Sequence, residues 1–183
     1  LGLAQLRKAH AMWERRCAIA RRYNEHFKDS RLIMTPVIRG FAQTSWHLYV
    51  IKLRSAYLTI TRDRFIDELQ KCGIGVSVHF IPLHRHPFYK QSYHFRSRDF
   101  PNAEWIYERC ISLPIYPDMT DEDVDCVAER VLDIAKRFEK PAPAAMRVSL
   151  SAPDIADTGR AAVMNVLKTN TLSFGPRLDE FER

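Results

Sequence analysis

The sequence predicts an α/β fold, a small sheet with helices packed against it. Three observations predict it. Apolar residues recur at steps of three and four along residues 2–28, which is the stripe of a long amphipathic helix. Two segments rich in β-branched and aromatic residues, 45–53 and 76–81, flank a capped helical stretch, giving strand, helix, strand at close spacing. A second capped helix with a valine stripe follows Thr120.

In chain order, Leu3, Leu6, Ala9 or His10, Trp13, Cys17, Ala20, Tyr23 (or Asn24) and Phe27 make the inward face of the first helix, about 40 Å long at 1.5 Å per residue. Residues 31–37 are apolar and end at Pro36. Ser45 to Leu53 has strand composition. Thr61 is placed to cap a helix carrying Phe65, Ile66 and Leu69, which stops at Gly73, and Val76 to Ile81 is the next expected strand. Pro101 to Ile111 is expected to be helical with Ala103, Ile106, Tyr107 and Cys110 inward. Pro114 and Pro117 force Leu113 to Pro117 into extended backbone, because each ring restricts the residue before it. Thr120 with Asp123 forms a capping-box pattern that opens a helix through Val124, Val127, Val131, Ile134 and Phe138, ending at Lys140. Pro141 to Ala145 reads as a stiff linker. Beyond it come a short strand at Arg147 to Leu150, a helix over 154–168, and a turn around Gly175 and Pro176.

Composition bounds the function. At 183 residues, 46% hydrophobic and 27% charged, the chain is globular, with no apolar run of the roughly 20 residues that a spanning helix needs and no leader pattern. A cytoplasmic protein is expected, with its true start upstream of Leu1. The net charge of +6 sits before the linker, since residues 141–183 are balanced. Arg7, Lys8, Arg15, Arg16, Arg21 and Arg22 go round the first helix without forming a stripe, which speaks for a solvated surface and against nucleic acid. Cys17, Cys72, Cys110 and Cys126 lack ligand spacing and are expected as buried free thiols. Trp13, Trp46 and Trp105 are expected to anchor a core or interface.

The most informative stretch runs from Gly73 to Tyr89, where a strand ends at Pro82 and His84, His86 and Tyr89 follow. Histidines in such a strand can simply pack, and His79, His84 and His86 have no acidic or cysteine partner at metal-ligand spacing. Imidazole and phenol at the wall of a cleft can instead hydrogen-bond hydroxyls or a diphosphate.

Gly2-Leu-Ala-Gln-Leu6, Trp46-His-Leu-Tyr-Val-Ile51, Gly73-Ile-Gly75, Val78-His-Phe-Ile-Pro-Leu-His84, Ser112-Leu-Pro-Ile-Tyr-Pro117 and Met119-Thr120 resemble, in order, the C-terminal half of the DegT/StrS family of pyridoxal-phosphate-dependent sugar-nucleotide aminotransferases. The resemblance covers residues 1–138. It implies the small C-terminal domain of a fold-type I aminotransferase, with a mixed sheet, over residues 1–140. Pro153-Asp-Ile155, Val163-Met-Asn-Val-Leu-Lys168 and Leu172-Ser-Phe-Gly-Pro-Arg-Leu-Asp-Glu-Phe-Glu182 are similar to the family's first residues, so 146–183 would be a truncated start of the large domain. An aminotransferase end joined to an aminotransferase beginning is the arrangement this implies.

The resemblance further implies pyridoxal phosphate as cofactor, a nucleotide-linked keto sugar and an amino-acid donor as substrates, and a homodimer. His79, His84 and Tyr89 would face the sugar nucleotide, and Thr171, Ser173 and Phe174 would line the active-site mouth. A transaminase needs a lysine amine to hold the cofactor and a carboxylate beneath the pyridine nitrogen. In the family these lie in the large domain, and no lysine of this chain stands in the matching pattern, so the 183 residues by themselves are expected to be inactive.

Overall fold

In the computed structural model, residues 2–141 are described, together with Ala161, Met164 and Asn165, which lie in helix. The chain divides into two units, Leu1–Pro141 and Ala142–Arg183. The expected linker, the strand at 147–150, most of the helix over 154–168, the turn at Gly175 and the residues Thr171, Ser173 and Phe174 lie outside the described residues.

The first helix is two helices, α1 (Gly2–Leu6) and α2 (Ala9–Phe27). They part at Arg7 and Lys8, where Lys8 N–H bonds back three residues to Gln5 O instead of four. Leu3 and Leu6 stay exposed, and α1 adds no buried side chain to the core among the described residues. In α2 the stripe holds from Ile19 onward, with Ala20, Tyr23 and Phe27 also buried.

Strands β1 (Ile33–Met34), β2 (Tyr49–Leu53) and β3 (Cys110–Leu113) form a sheet in the order β1-β2-β3. Both pairings are antiparallel, Ile33 opposite Leu53 and Tyr49 opposite Leu113, so the sheet is antiparallel and not the mixed one expected. β2 alternates, with Tyr49, Ile51 and Leu53 turned into the core. The expected strand at 76–81 shrinks to a single bridge, Ser77 to Ser112 on the free edge of β3. Past it the side chains of Phe80 and Ile81 are exposed and offer no buried face to hold a ladder.

Helix α3 (Arg62–Lys71) begins as expected, the Thr61 hydroxyl accepting from Arg64 N–H. It ends where Gly73 takes φ 77° and lets Ile74 N–H reach Leu69 O, a conformation that a side chain would strain. A short helix α4 (Pro87–Tyr93) lies in what was read as loop. The helix expected to reach Ile111 stops at Tyr107 as α5 (Pro101–Tyr107), because Cys110 and Ile111 pair into β3 instead. Helix α6 (Asp121–Arg137) carries the full capping box, Thr120 and Asp123 bonding each other's backbone N–H, and buries Val124, Val127, Val131 and Ile134.

One core joins α2, α3 and α6 to the sheet, centred on Tyr23, Tyr49, Phe65, Ile111 and Val131. The arginines of α2 do more than meet water. Arg15 donates to Met119 O and Asp121, Arg16 to Trp46 O and Ile115 O, and Arg22 grips Asp125 through two bonds. They lash α2 to the start of α6 and to the exit of β3. Of the tryptophans, Trp13 and Trp46 are half-buried, while Trp105 is 41% exposed under the Arg109 guanidinium and anchors nothing in the core. Only Cys110 is buried; Cys17 is half-buried, and Cys72 and Cys126 are exposed, against the expectation of four buried thiols.

Candidate functional site

A cleft of about 330 Å³ opens along the free edge of β3, lined by His47, Gly75, Ser77, His79, Ser112 and Pro114 among others. Each wall has a local cause. Ser112 lies in β3, all four residues of which are buried, and its N–H and C=O pair with Ser77, at 2.8 and 3.3 Å. That bridge turns the 76–79 segment so that His79 Nδ1 lies 2.9 Å from Ser112 Oγ. His47 follows Trp46, which sits at φ 48° with its N–H on Thr44 Oγ1 and its carbonyl on Arg16. The fourth side is the β3 exit, where Tyr23 Oη donates to Pro114 O at 2.9 Å and Arg16 to Ile115 O at 2.8 Å. His47, His79, Ser77 and Ser112 thus line one opening, a set suited to polar, hydroxylated ligands.

The other two predicted residues of the described part stand elsewhere. His84 is 5% exposed, its ring stacked on Phe100 at 4.8 Å, and its Nε2–H donates to Glu104 Oε1 at 2.5 Å. The same carboxylate receives Arg85 Nε at 2.9 and 3.0 Å and Arg85 Nη2 as well. Arg85 and Arg62 both lie over the Tyr107 ring, at 4.7 and 4.9 Å from its centre. Hydrogen bonds from Arg85, then His84, hold the Glu104 carboxyl down at about 2, against its burial, so it stays charged. Tyr89 is half-buried on α4 among Phe88 and Tyr93. The structure therefore brings His79 together with His47 and Ser112, and does not bring His84 or Tyr89 into that cleft. His86 is exposed, and among the described residues no three His, Cys, Asp or Glu side chains converge as a metal site.

Sequence reasoning missed Ser112, Glu104 and Arg85. Glu104 had a signal, an acid at an inward position of the otherwise apolar run Ala103 to Tyr107, whereas Ser112 had none before its pairing was known. A second cleft, of about 420 Å³ between α1 and α2, is mostly apolar, with Leu6, Met12, Trp13 and Arg16 in its lining.

Residues 1–132 match the DegT/DnrJ/EryC1/StrS aminotransferase family. The chain belongs to this family. The uncharacterized protein MJ1066 of Methanocaldococcus jannaschii is 51% identical over 134 residues, 73% of this chain and 35% of that protein. The spore coat polysaccharide biosynthesis protein SpsC of Bacillus subtilis is 43% identical over 137 residues, 74% of this chain and 35% of its own length. Among solved structures, Helicobacter pylori PseC, an aminotransferase involved in the biosynthesis of pseudoaminic acid, superposes with TM-score 0.69 at 29% identity, over 75% of this chain and 36% of PseC. The chain thus spans about a third of the length of its relatives. The fold is that of a piece of a fold-type I aminotransferase.

The family works with pyridoxal phosphate, and solved relatives are known in PLP- and PMP-forms. The described residues do not fit the anchoring part of that cofactor. Neither cleft is lined by a lysine or a carboxylate. Lys28 and Lys71 pair with Glu25 and Glu68, each three residues back along the chain, and Lys140 donates to Ala56 O.

Proposed function

We propose that this chain supplies the substrate-facing flank of a pyridoxal-phosphate-dependent aminotransferase acting on nucleotide-linked keto sugars in amino-sugar or polysaccharide biosynthesis. The intact enzyme is read as a cytoplasmic homodimer using an amino-acid donor. The observation that carries this reading is the cleft of His47, His79 and Ser112 on a chain of this family. In it the imidazoles offer donors and acceptors to sugar hydroxyls or a diphosphate, and the backbone of 75–77 and 113–115 shapes the wall. His79 is the residue assigned to ligand contact. Tyr89 remains a candidate from α4, as do Thr171, Ser173 and Phe174, which lie beyond the described residues. His84 is spoken for by Glu104.

A second reading, an inactive binding or assembly piece, is favoured for the 183 residues alone by the lysine-free clefts. Titrating the chain with UDP-N-acetylglucosamine tests the first, with binding lost in His79→Ala. Mixing it with pyridoxal phosphate tests the second: a visible absorbance band that borohydride bleaches onto one lysine would refute it. Saturation with neither probe would leave the flank reading without support.

A further inference from the structure

The segment from Val78 to His86 carries His79 into the cleft, and among the described residues its hydrogen bonds to the rest of the chain fall at its two ends. At its start are the Ser77–Ser112 bridge and the His79 contact with Ser112. At its end, His84 and Arg85 both bond Glu104 on α5, and His84 lies flat on Phe100. Between them, among the described residues, the backbone donates only to itself, Arg85 N–H to Pro82 O and His86 N–H to Leu83 O, and Phe80, Ile81 and Leu83 show their side chains to solvent. A strap with exposed apolar residues and two anchors keeps its shape only while both anchors hold.

We propose that Glu104 is a positioning residue for the cleft: by binding His84 and Arg85 together it tensions the 78–86 strap and so sets where His79 stands against Ser112. This rests on the reading of the cleft as a ligand site only for its consequence in binding. Three features make the carboxylate suited to the task. It is nearly buried, it accepts from two donors on neighbouring residues, and it sits on α5, outside the strap it holds. Its partners leave it little freedom, since Arg85 is in turn fixed over Tyr107.

The test uses the full 183-residue chain with Glu104→Gln and Glu104→Leu. The glutamine keeps the volume but loses the charge and one of the two acceptor oxygens, and the leucine removes both bonds. Imidazole 15N signals of His79, exchange of the Ser77, Arg85 and His86 amides, and affinity for UDP-N-acetylglucosamine are measured, with the Val127 and Val131 amides as reference. Loss of charge-assisted bonds at one anchor is expected to speed exchange of the three strap amides by about tenfold or more, while α6 is unchanged. The His79 signals should move toward those of a free imidazole, and affinity should fall in step. Unaltered His79 signals and strap exchange in both variants would overturn the proposal, as would loosening shared equally by α6. If the leucine variant does not fold, the glutamine variant decides. A parent chain that ignores the sugar nucleotide, with His79 still displaced in the variants, would defeat the ligand reading and leave the positioning role standing.

Discussion

Replacing Tyr23 with phenylalanine isolates one bond on which the back wall of the cleft depends. The ring is fully buried, parallel to Phe27 at 6.0 Å and 4.8 Å from Tyr49, so the substitution keeps the packing. What goes is the hydroxyl that donates to Pro114 O at 2.9 Å. A lost neutral hydrogen bond costs about 1–1.5 kcal/mol, and the half-exposed Pro114, which water can partly serve, favours the lower end. For a domain of this size that is a fall of about 3–5 °C in Tm. Tyr23→Ala, which also empties the ring's volume, should cost about 3–5 kcal/mol. Thermal melts and urea titrations followed by circular dichroism measure both, with the urea slope unchanged in the phenylalanine variant. Alkali gives a second arm. Burial pushes the Tyr23 phenol well above its ordinary 10.0, so its contribution is complete below that value and is lost as pH rises past it, because only the unfolded chain ionises there. The phenylalanine variant should therefore lose less stability above that pH than the parent. A phenylalanine variant within about 0.3 kcal/mol of the parent, and equally alkali-sensitive, would show that the bond between α2 and the β3 exit is worth nothing.

Three other outcomes follow from the same structure. Thr120→Ala removes the cap of α6 and half of its reciprocal box, and should cost about 1 kcal/mol by urea titration. On acidification, the Glu104 carboxyl contributes fully above its ordinary 4.5 and its share is lost as pH falls toward about 2; acid unfolding of Glu104→Gln should lack that share and begin from a lower plateau. Thiol labelling of the native chain should modify Cys72 and Cys126 at once and Cys110 only on unfolding, since Cys110 is buried and its thiol is pushed up by that burial.

Much of the fold could be read from local patterns because those patterns carry their own physics. Thr61, Gly73, Thr120 and Asp123 mark helix ends through bonds made within a few residues, and each stands where the pattern put it. The errors share a cause, competition that only tertiary structure decides. Leu3 and Leu6 have helical spacing but nothing described to bury against. Cys110 and Ile111 continue a helical period but are claimed by β2. Val76 to Ile81 has strand composition but only one residue with a partner. Of the histidines assigned through the resemblance, His79 lines the cleft, whereas His84, alike in sequence, bonds a glutamate 20 residues on that no spacing rule connects to it.

The lashing of α2 to α6 has a consequence for how this chain comes to exist. Arg22 reaches Asp121 and Asp125 across 99 and 103 residues. Contacts so distant along the chain form late, and a ribosome delivers α6 long after α2. Until then the side of α2 that packs on α6 is uncovered, so a nascent chain stalled before residue 121 presents that part of its apolar face to chaperones or to other nascent chains. A pause in translation there would be costlier to yield than the same pause after residue 137.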